Sequence, residues 1–185
     1  PKDVQTAVCD YEPQAPVQPE ERHAAKDVRI KEAAALINAS KRPFIYFGGG
    51  LITSEAQEEM LALAEKIDAP IGCSLMGLSG IPTDHPRFLG MQGMHGHYSS
   101  TMAMNACDCL IALGVRFNDR VTGDRTQFAP NHKIVRIDID SSEMSKTVYD
   151  RVDLVGDVGT TLDALLGLVR PNTHEEWRRE VREMR

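Results

Sequence analysis

Apolar residues recur at helical spacing over residues 24–39, and Pro43 ends this pattern at the start of the apolar run 44–47. Three consecutive glycines follow the run. A second helical pattern begins with the capping-box sequence Ser54-x-x-Gln57 and carries its apolar residues on one face. These patterns predict a helix, a strand, a glycine turn and a second helix, in that order.

The same alternation continues along the chain. Apolar runs predict further strands at 70–74, 109–113, 133–139 and 152–155, and helical patterns predict helices at 99–106, 142–149 and 158–169. The stretch through Pro82 and Pro86 is predicted to be a loop. Because strands that alternate with helices are typical of parallel sheets, the predicted fold class is α/β. We expect an open parallel sheet of about five or six strands with helices on both faces.

The two ends of the chain differ from its centre. Prolines at 13, 16 and 19 and little apolar periodicity predict a linker over residues 1–22, so the predicted domain covers residues 23–170. The highly charged residues 171–185 are interpreted as an exit linker or a solvated helix, with Trp177 docking on a neighbouring domain. There is no initiator Met and no signal-peptide core, so we expect a piece of a larger, cytoplasmic protein.

Composition narrows the function classes. The chain of 185 residues has 42% hydrophobic and 26% charged residues and a net charge of −6, as soluble globular proteins do. An acidic balance disfavours nucleic acid as a partner, and no apolar run approaches the ~20 residues of a membrane span. The four cysteines, among them Cys107 and Cys109, lack the C-x-x-C spacing of zinc sites. They are interpreted as reduced thiols, with Cys107 and Cys109 buried.

The loop 114–123 carries the clearest chemistry. It follows the predicted strand 109–113 and places Arg116 and Arg120 at a strand end, where ligands of parallel sheets bind. Two guanidinium groups beside glycines favour recognition of a phosphate or carboxylate over surface ion pairing. Asp138 also follows an apolar run and is the candidate acceptor for ribose hydroxyls, although an ordinary cap carboxylate is the alternative.

Two further motifs are less specific. The glycines 48–50 allow a ligand to approach the backbone, but Thr53 stands where the G-x-G-x-x-G dinucleotide fingerprint needs a glycine. His95 and His97 form an H-x-H pair without a clustered carboxylate or cysteine to complete a metal site. We therefore interpret the glycine-rich stretch 90–96 as a loop whose backbone approaches a ligand.

Taken together, the loop 114–123, Gln92-Gly93-Met94-His95-Gly96 and Ile137-Asp138-Ile139-Asp140 closely resemble the acetohydroxyacid synthase (acetolactate synthase) catalytic large subunit. The resemblance covers the central FAD-binding domain of this thiamine diphosphate enzyme family. By position it implies FAD contacts from Gly49, Ser74, Leu75, Gln92, Gly93, Met94, His95, Gly114, Val115, Arg116, Phe117, Asn118, Asp138, Ile139, Asp157 and Val158. It also implies that Arg120 lies near the substrates and clamps the carboxylate of the second ketoacid.

The resemblance implies an activity for the whole enzyme rather than for this chain. Such enzymes condense pyruvate with pyruvate or 2-ketobutyrate, with decarboxylation, in branched-chain amino acid biosynthesis. The thiamine diphosphate and Mg²⁺ motif, which resembles G-D-G, is absent, since Gly123-Asp124 and Gly156-Asp157 continue with Arg125 and Val158. We therefore expect this chain alone to be catalytically inactive. A homo-oligomer and a regulatory small subunit are the implied partners.

Three positions depart from the family pattern, and two other interpretations stay open. Asn118 replaces the usual Asp, His97 the usual Thr, and Gln92 the usual Leu or a similar residue. Asn118 can still donate and accept hydrogen bonds but has lost a charge. The alternatives are a stand-alone nucleotide-binding module, or the same domain from glyoxylate carboligase or a pyruvate oxidase.

Overall fold

The computed structural model of this chain describes residues 2–10, 12–13, 15, 21–123, 128, 132–144 and 151–185. Its strands there are β1 (Pro43–Phe47), β2 (Ile71–Cys73), β3 (Phe88–Met91), β4 (Cys109–Leu113), β5 (Lys133–Asp138) and β6 (Arg151–Val155). Its α-helices there are α1 (Lys2–Thr6), α2 (Asp27–Ala39), α3 (Gly49–Thr53), α4 (Gln57–Lys66), α5 (Tyr98–Ala106), α6 (Asp119–Thr122), α7 (Val158–Leu166) and α8 (Glu175–Glu183).

The six strands form one parallel sheet in the order β3-β2-β1-β4-β5-β6. The predicted open parallel α/β sheet is therefore confirmed. The chain runs outward from β1 to β3 and then crosses back, so that β4 pairs with the free side of β1. At this reversal in strand order, a cleft opens at the carboxyl ends of the strands.

Helices cover both faces of the sheet. Apolar residues of α2, α3, α4 and α7 join one core with alternate strand residues such as Ile45 and Ile111. The residues between them, such as Tyr46 and Leu110, join a second core with α5 and α8. All residues of β1 and β4 are buried, as expected for central strands of a sheet that is covered twice.

Three local features differ from the sequence prediction. The region after Pro86 contains β3, an edge strand that pairs only with β2 and whose Gly90 has a φ of +94°. The predicted capping box is wrong, because α4 begins at Gln57 and the Ser54 hydroxyl instead donates to Asp157, 2.7 Å away. A 3-10 turn occupies Ser141–Glu143, and most of the helix predicted over 142–149 lies outside the described residues.

The charged end of the chain packs on this domain. Trp177 in α8 is only 2% exposed, and its Nε1–H donates to the carbonyl of Pro43 at 3.0 Å. The interpretation that Trp177 docks on a neighbouring domain is therefore wrong. That residues 171–185 lead toward a further domain stays a prediction, as do the boundaries at 22 and 170. Within the described ranges, no helix is long and apolar enough to cross a membrane.

Candidate functional site

A cleft of about 610 Å³ opens at the reversal between β1 and β4. It is lined by the loops that follow β1, β2, β3, β4 and β5, all at the carboxyl edge of the sheet. Predicted site residues that line it are Gly49, Ser74, Leu75, Gln92, Met94, His95, Gly114, Val115, Arg116, Asn118, Arg120 and Asp138. Segments distant in sequence therefore meet around one cavity of ligand size.

Glycines bring the loops after β1 and β4 into backbone contact. Gly114 has a φ of +52°, and a Cβ on it would lie 2.6 Å from the Cα of Gly50. The N–H of Gly50 donates to the carbonyl of Gly114 at 3.0 Å. No side chain larger than hydrogen fits at this crossing, so the base of the cleft is open backbone.

The loop after β3 fixes the position of the loop after β4. The N–H of Met94 donates to the carbonyl of Arg120 at 3.0 Å. Gly93 has a φ of +97°, and a Cβ there would lie 2.7 Å from the same carbonyl oxygen. The backbone of Arg120 is thereby held against the glycine-rich stretch 90–96.

Gln92 is buried beside the cleft. Its Nε2 donates to the carbonyl and to the hydroxyl of Ser100, both at 2.9 Å. A Cβ on Gly72 would lie 2.5 Å from that Nε2, so the glycine in β2 makes room for the amide. Gln92 thus connects the end of β3 to α5 through its side-chain amide.

The two arginines of the loop present positive charge to the cleft. The Arg116 side chain is 74% exposed and pairs with Glu143 at 3.6 Å. The Arg120 side chain has no hydrogen-bond or ion-pair partner among the described residues and lies on the short helix α6. Both guanidinium groups can therefore turn toward an anion in the cleft.

A buried arginine that sequence reasoning missed lies behind Asp138. Arg136 is 1% exposed, and its Nη2 approaches Oδ2 of Asp138 at 3.3 Å. Oδ1 of Asp138 accepts the N–H of Asp140 at 3.1 Å. The available signal was an arginine between the apolar residues Val135 and Ile137, two positions before Asp138 and therefore on the same strand face.

Some predicted contact residues lie outside the lining. Phe117 is buried in the second core, 6.1 Å from the ring of Tyr46, whereas Ile139 is 72% exposed. Asp157 caps α7 by accepting the N–H of Thr160 at 3.0 Å, and Val158 is buried behind it. Gly93 serves the loop contact described above. Their proposed FAD contacts stay predictions.

The buried cysteines and Tyr46 of the sheet are held in their neutral forms. Burial raises the pKa of Cys73 and of Cys109 to about 12, and that of Cys107 well above its ordinary value. Burial also raises the pKa of Tyr46, whose hydroxyl lies against the second core. Cys107 and Cys109 are buried, as predicted, and remain protonated thiols rather than nucleophiles.

Comparison with known proteins assigns the family. The family model described as "Thiamine pyrophosphate enzyme, central domain" matches residues 30–165. The chain belongs to this family. The predicted resemblance to acetolactate synthase is confirmed by the relatives described below. These relatives favour acetolactate synthase over glyoxylate carboligase, a pyruvate oxidase or a stand-alone nucleotide-binding module.

Two relatives are acetolactate synthase large subunits of Escherichia coli strain K12. Isozyme 1 is 42% identical over 185 residues, which cover 100% of this chain and 33% of the relative. Isozyme 3 is 38% identical over 155 residues, which cover 84% of this chain and 27% of the relative. The chain therefore spans about a third or less of the length of these relatives.

A solved structure has the same fold. Benzoylformate decarboxylase from Polynucleobacter necessarius superposes with a TM-score of 0.72 at 22% sequence identity. The match covers 90% of this chain and 32% of that protein. At this identity the likeness concerns the arrangement of the sheet and helices alone.

Proposed function

We propose that the cleft binds FAD and that this thiamine enzyme domain serves in an acetolactate synthase. The observation that carries the proposal is the convergence of the glycine loop, Arg116, Arg120 and Asp138 on one cleft at the reversal of the sheet. Backbone, cationic and carboxylate groups there match the parts of a flavin dinucleotide.

The donor set supports this ligand part by part. Gly48, Gly50 and Gly114 leave bare backbone at the base of the cleft, which a flat group can approach, because a Cβ on any of them would lie within 2.7 Å of the facing loop. Arg116 supplies a forked cationic donor for the diphosphate. Asp138, at the end of β5, supplies acceptors for ribose hydroxyls. The cavity of about 610 Å³ lies within the range of small-molecule sites.

In the proposed condensation, bound FAD supplies no net redox step. The residues of this chain bind and orient it, and Leu75, Met76 and Met94 present apolar surface to it on one side of the cleft. Arg120, whose guanidinium is unpaired among the described residues, holds the carboxylate of the second 2-ketoacid.

The remaining parts of the activity belong to the proposed whole enzyme. Thiamine diphosphate and Mg²⁺ are held by other domains, which join pyruvate to pyruvate or 2-ketobutyrate in branched-chain amino acid biosynthesis. The relatives are large subunits, which supports a regulatory small subunit as partner. A cytoplasmic homo-oligomer completes the proposal.

FAD titration of the full-length protein, followed by quenching of flavin fluorescence, tests the binding step. We expect saturable quenching by FAD and much weaker binding of riboflavin, which lacks the diphosphate and the adenosine ribose. Riboflavin binding as tightly as FAD would remove the proposed roles of Arg116 and Asp138. No saturable FAD binding would overturn the site itself.

A further inference from the structure

Arg136 lies within the apolar strand β5 and has no access to solvent. Side chains alternate along a strand, so Arg136 and Asp138 project from the same face of the sheet. The guanidinium of Arg136 lies 5.3 Å from the centre of the Phe117 ring. The opposing residue on β4 is Ala112, whose small side chain leaves room for it.

The guanidinium joins three segments that border the cleft. Nη1 donates to the carbonyl of Glu143 at 2.8 Å, and Nη2 donates to the carbonyl of Val115 at 3.3 Å. Nη2 also donates to Asp138 at 3.3 Å. The hydrogen-bonded partners of Arg136 among the described residues therefore come from the chain after β4, the end of β5 and the turn beyond it.

Stability alone does not account for this arginine. A buried ion pair is commonly no more stable than apolar residues of similar volume, because both charges lose hydration. The Nε–H of Arg136 also has no acceptor in the described part of the chain. Asp153, the neighbour of Arg136 on β6, pairs with Arg151 at 2.7 Å, and within the described residues Asp138 is the carboxylate that pairs with Arg136.

We propose that Arg136 is a positioning residue for nucleotide binding, which acts through Asp138. This inference rests on the proposed FAD site. Arg136 holds Oδ2 while the N–H of Asp140 holds Oδ1, so the carboxylate keeps one orientation and offers its remaining lone pairs to two adjacent ribose hydroxyls. The guanidinium also balances the carboxylate charge, which would otherwise repel a diphosphate in the same cleft.

A double-mutant cycle on FAD affinity in the full-length protein tests this role. The variants are Arg136→Met, Asp138→Asn and their combination. Arg151→Met is the matched control, because it removes an arginine that pairs with an aspartate two residues away on the next strand, outside the cleft lining. Thermal unfolding without ligand checks that each variant is folded.

We expect each single change at 136 or 138 to weaken FAD binding about 10- to 100-fold. The double variant should stay within about twofold of Asp138→Asn, because Arg136 acts through the carboxylate that is already gone. Arg151→Met should bind FAD as the unchanged protein does. If Arg136→Met does not fold, Arg136→Lys replaces it, with a smaller loss of the same non-additive kind.

Two results would overturn the inference while leaving the FAD site intact. Losses that multiply in the double variant would mean that Arg136 acts on the fold independently of Asp138. Unchanged FAD affinity in folded Arg136→Met would mean that it has no role in binding. Failure of the unchanged protein to bind FAD is the separate result that removes the proposed function.

Discussion

Two neighbouring aspartates at the end of β5 differ in what their carboxylates already do. Asp138 stands at the strand end with its oxygens held by Arg136 and a backbone N–H, whereas Asp140 accepts the N–H of Ser142 and caps the following turn. We expect Asp138→Ala to weaken FAD binding by about 1.5–3 kcal/mol, the value of a charged hydrogen-bond acceptor, and Asp140→Ala to weaken it less. Isothermal titration of both variants measures the difference, and equal losses would contradict the ribose assignment.

The two loop arginines are expected to separate catalysis from cofactor retention. Arg120→Ala, in the full-length enzyme, should impair product formation and the choice of second ketoacid, because it removes about 1.5–3 kcal/mol of oriented carboxylate binding. That loss corresponds to about one to two orders of magnitude in rate. Arg116→Ala should instead release flavin first. Steady-state kinetics with both ketoacids and flavin content after gel filtration decide between them, and normal kinetics of Arg120→Ala would rule out the clamp.

At the residue scale, the sequence predicted most of the residues that line the cleft but not the buried residues that hold them in place. Arg116, Arg120 and Asp138 could be placed because each lies at the end of an apolar run or in the loop after one, and strand ends meet at one edge of a parallel sheet. Arg136 could not, since its burial depends on Ala112 of another strand and on the Phe117 ring. Asp157 could not be recognised as a cap bonded to Ser54, because those residues are 103 positions apart.

At the scale of the elements, a buried histidine joins α5 to β5, and its charge state affects the stability of the fold. His132 directly precedes β5, and its Nε2 lies 3.1 Å from the carbonyl of Asn105 at the end of α5. Its Nδ1 lies 3.8 Å from the Cys107 thiol. Burial lowers the pKa of His132 below the ordinary 6.5. At neutral pH the His132 imidazole of the folded protein is therefore uncharged.

Stability should accordingly depend on pH through this contact. Below pH 6.5 the unfolded chain binds a proton more readily than the folded one, so the free energy of unfolding falls as pH drops through the folded pKa of His132. Above pH 6.5 this group contributes no slope. Urea unfolding from pH 7.5 to 5 should show a shallower slope for His132→Gln than for a His23→Gln control at an exposed position. Part of the slope that remains in His132→Gln comes from His174, because burial lowers the pKa of that residue as well. Identical slopes in the two variants would exclude His132.

The elements themselves were predictable where the apolar pattern was uniform. The strand 109–113 has the predicted bounds, because all five side chains are buried and no turn residue interrupts them. β3 escaped prediction since its positive-φ glycine and the preceding prolines are typical of a loop, and its pairing with β2 shifts register. Strand order likewise depends on contacts between distant segments, which apolar periodicity does not encode.

At the scale of the whole molecule, the chain supplies one part of the proposed site. We expect this chain alone to form no acetolactate even with FAD, thiamine diphosphate and Mg²⁺ in excess, because the residues that would anchor the diphosphate and activate the thiamine ring are absent from it. A colorimetric acetolactate assay on the purified chain measures this. Acetolactate formation above that of a control without protein would contradict the proposal that other domains hold the thiamine diphosphate.

FAD binding by the isolated chain should also be weak. The cleft is open on the side of Leu75, Met76 and Met94, whose side chains are all more than half exposed. A ligand bound there loses conformational freedom but makes few enclosing contacts, which would otherwise offset this entropic cost. Fluorescence titration of the isolated chain should give a dissociation constant for FAD that is micromolar or weaker. Submicromolar binding would contradict an incomplete site.

The contact between Trp177 and Pro43 also ties completion of the fold to the order of synthesis. A ribosome delivers β1 first, yet Trp177, which packs in the same core as Phe44 and Tyr46, comes 134 residues after Pro43. At about 5–20 residues per second, these 134 residues require about 7–27 s. Throughout that interval Phe44 and Tyr46 lack the α8 residues of the second core, so we expect the nascent domain to expose aromatic surface. Translation that pauses before residue 177 would lengthen this exposure and favour aggregation of the chain.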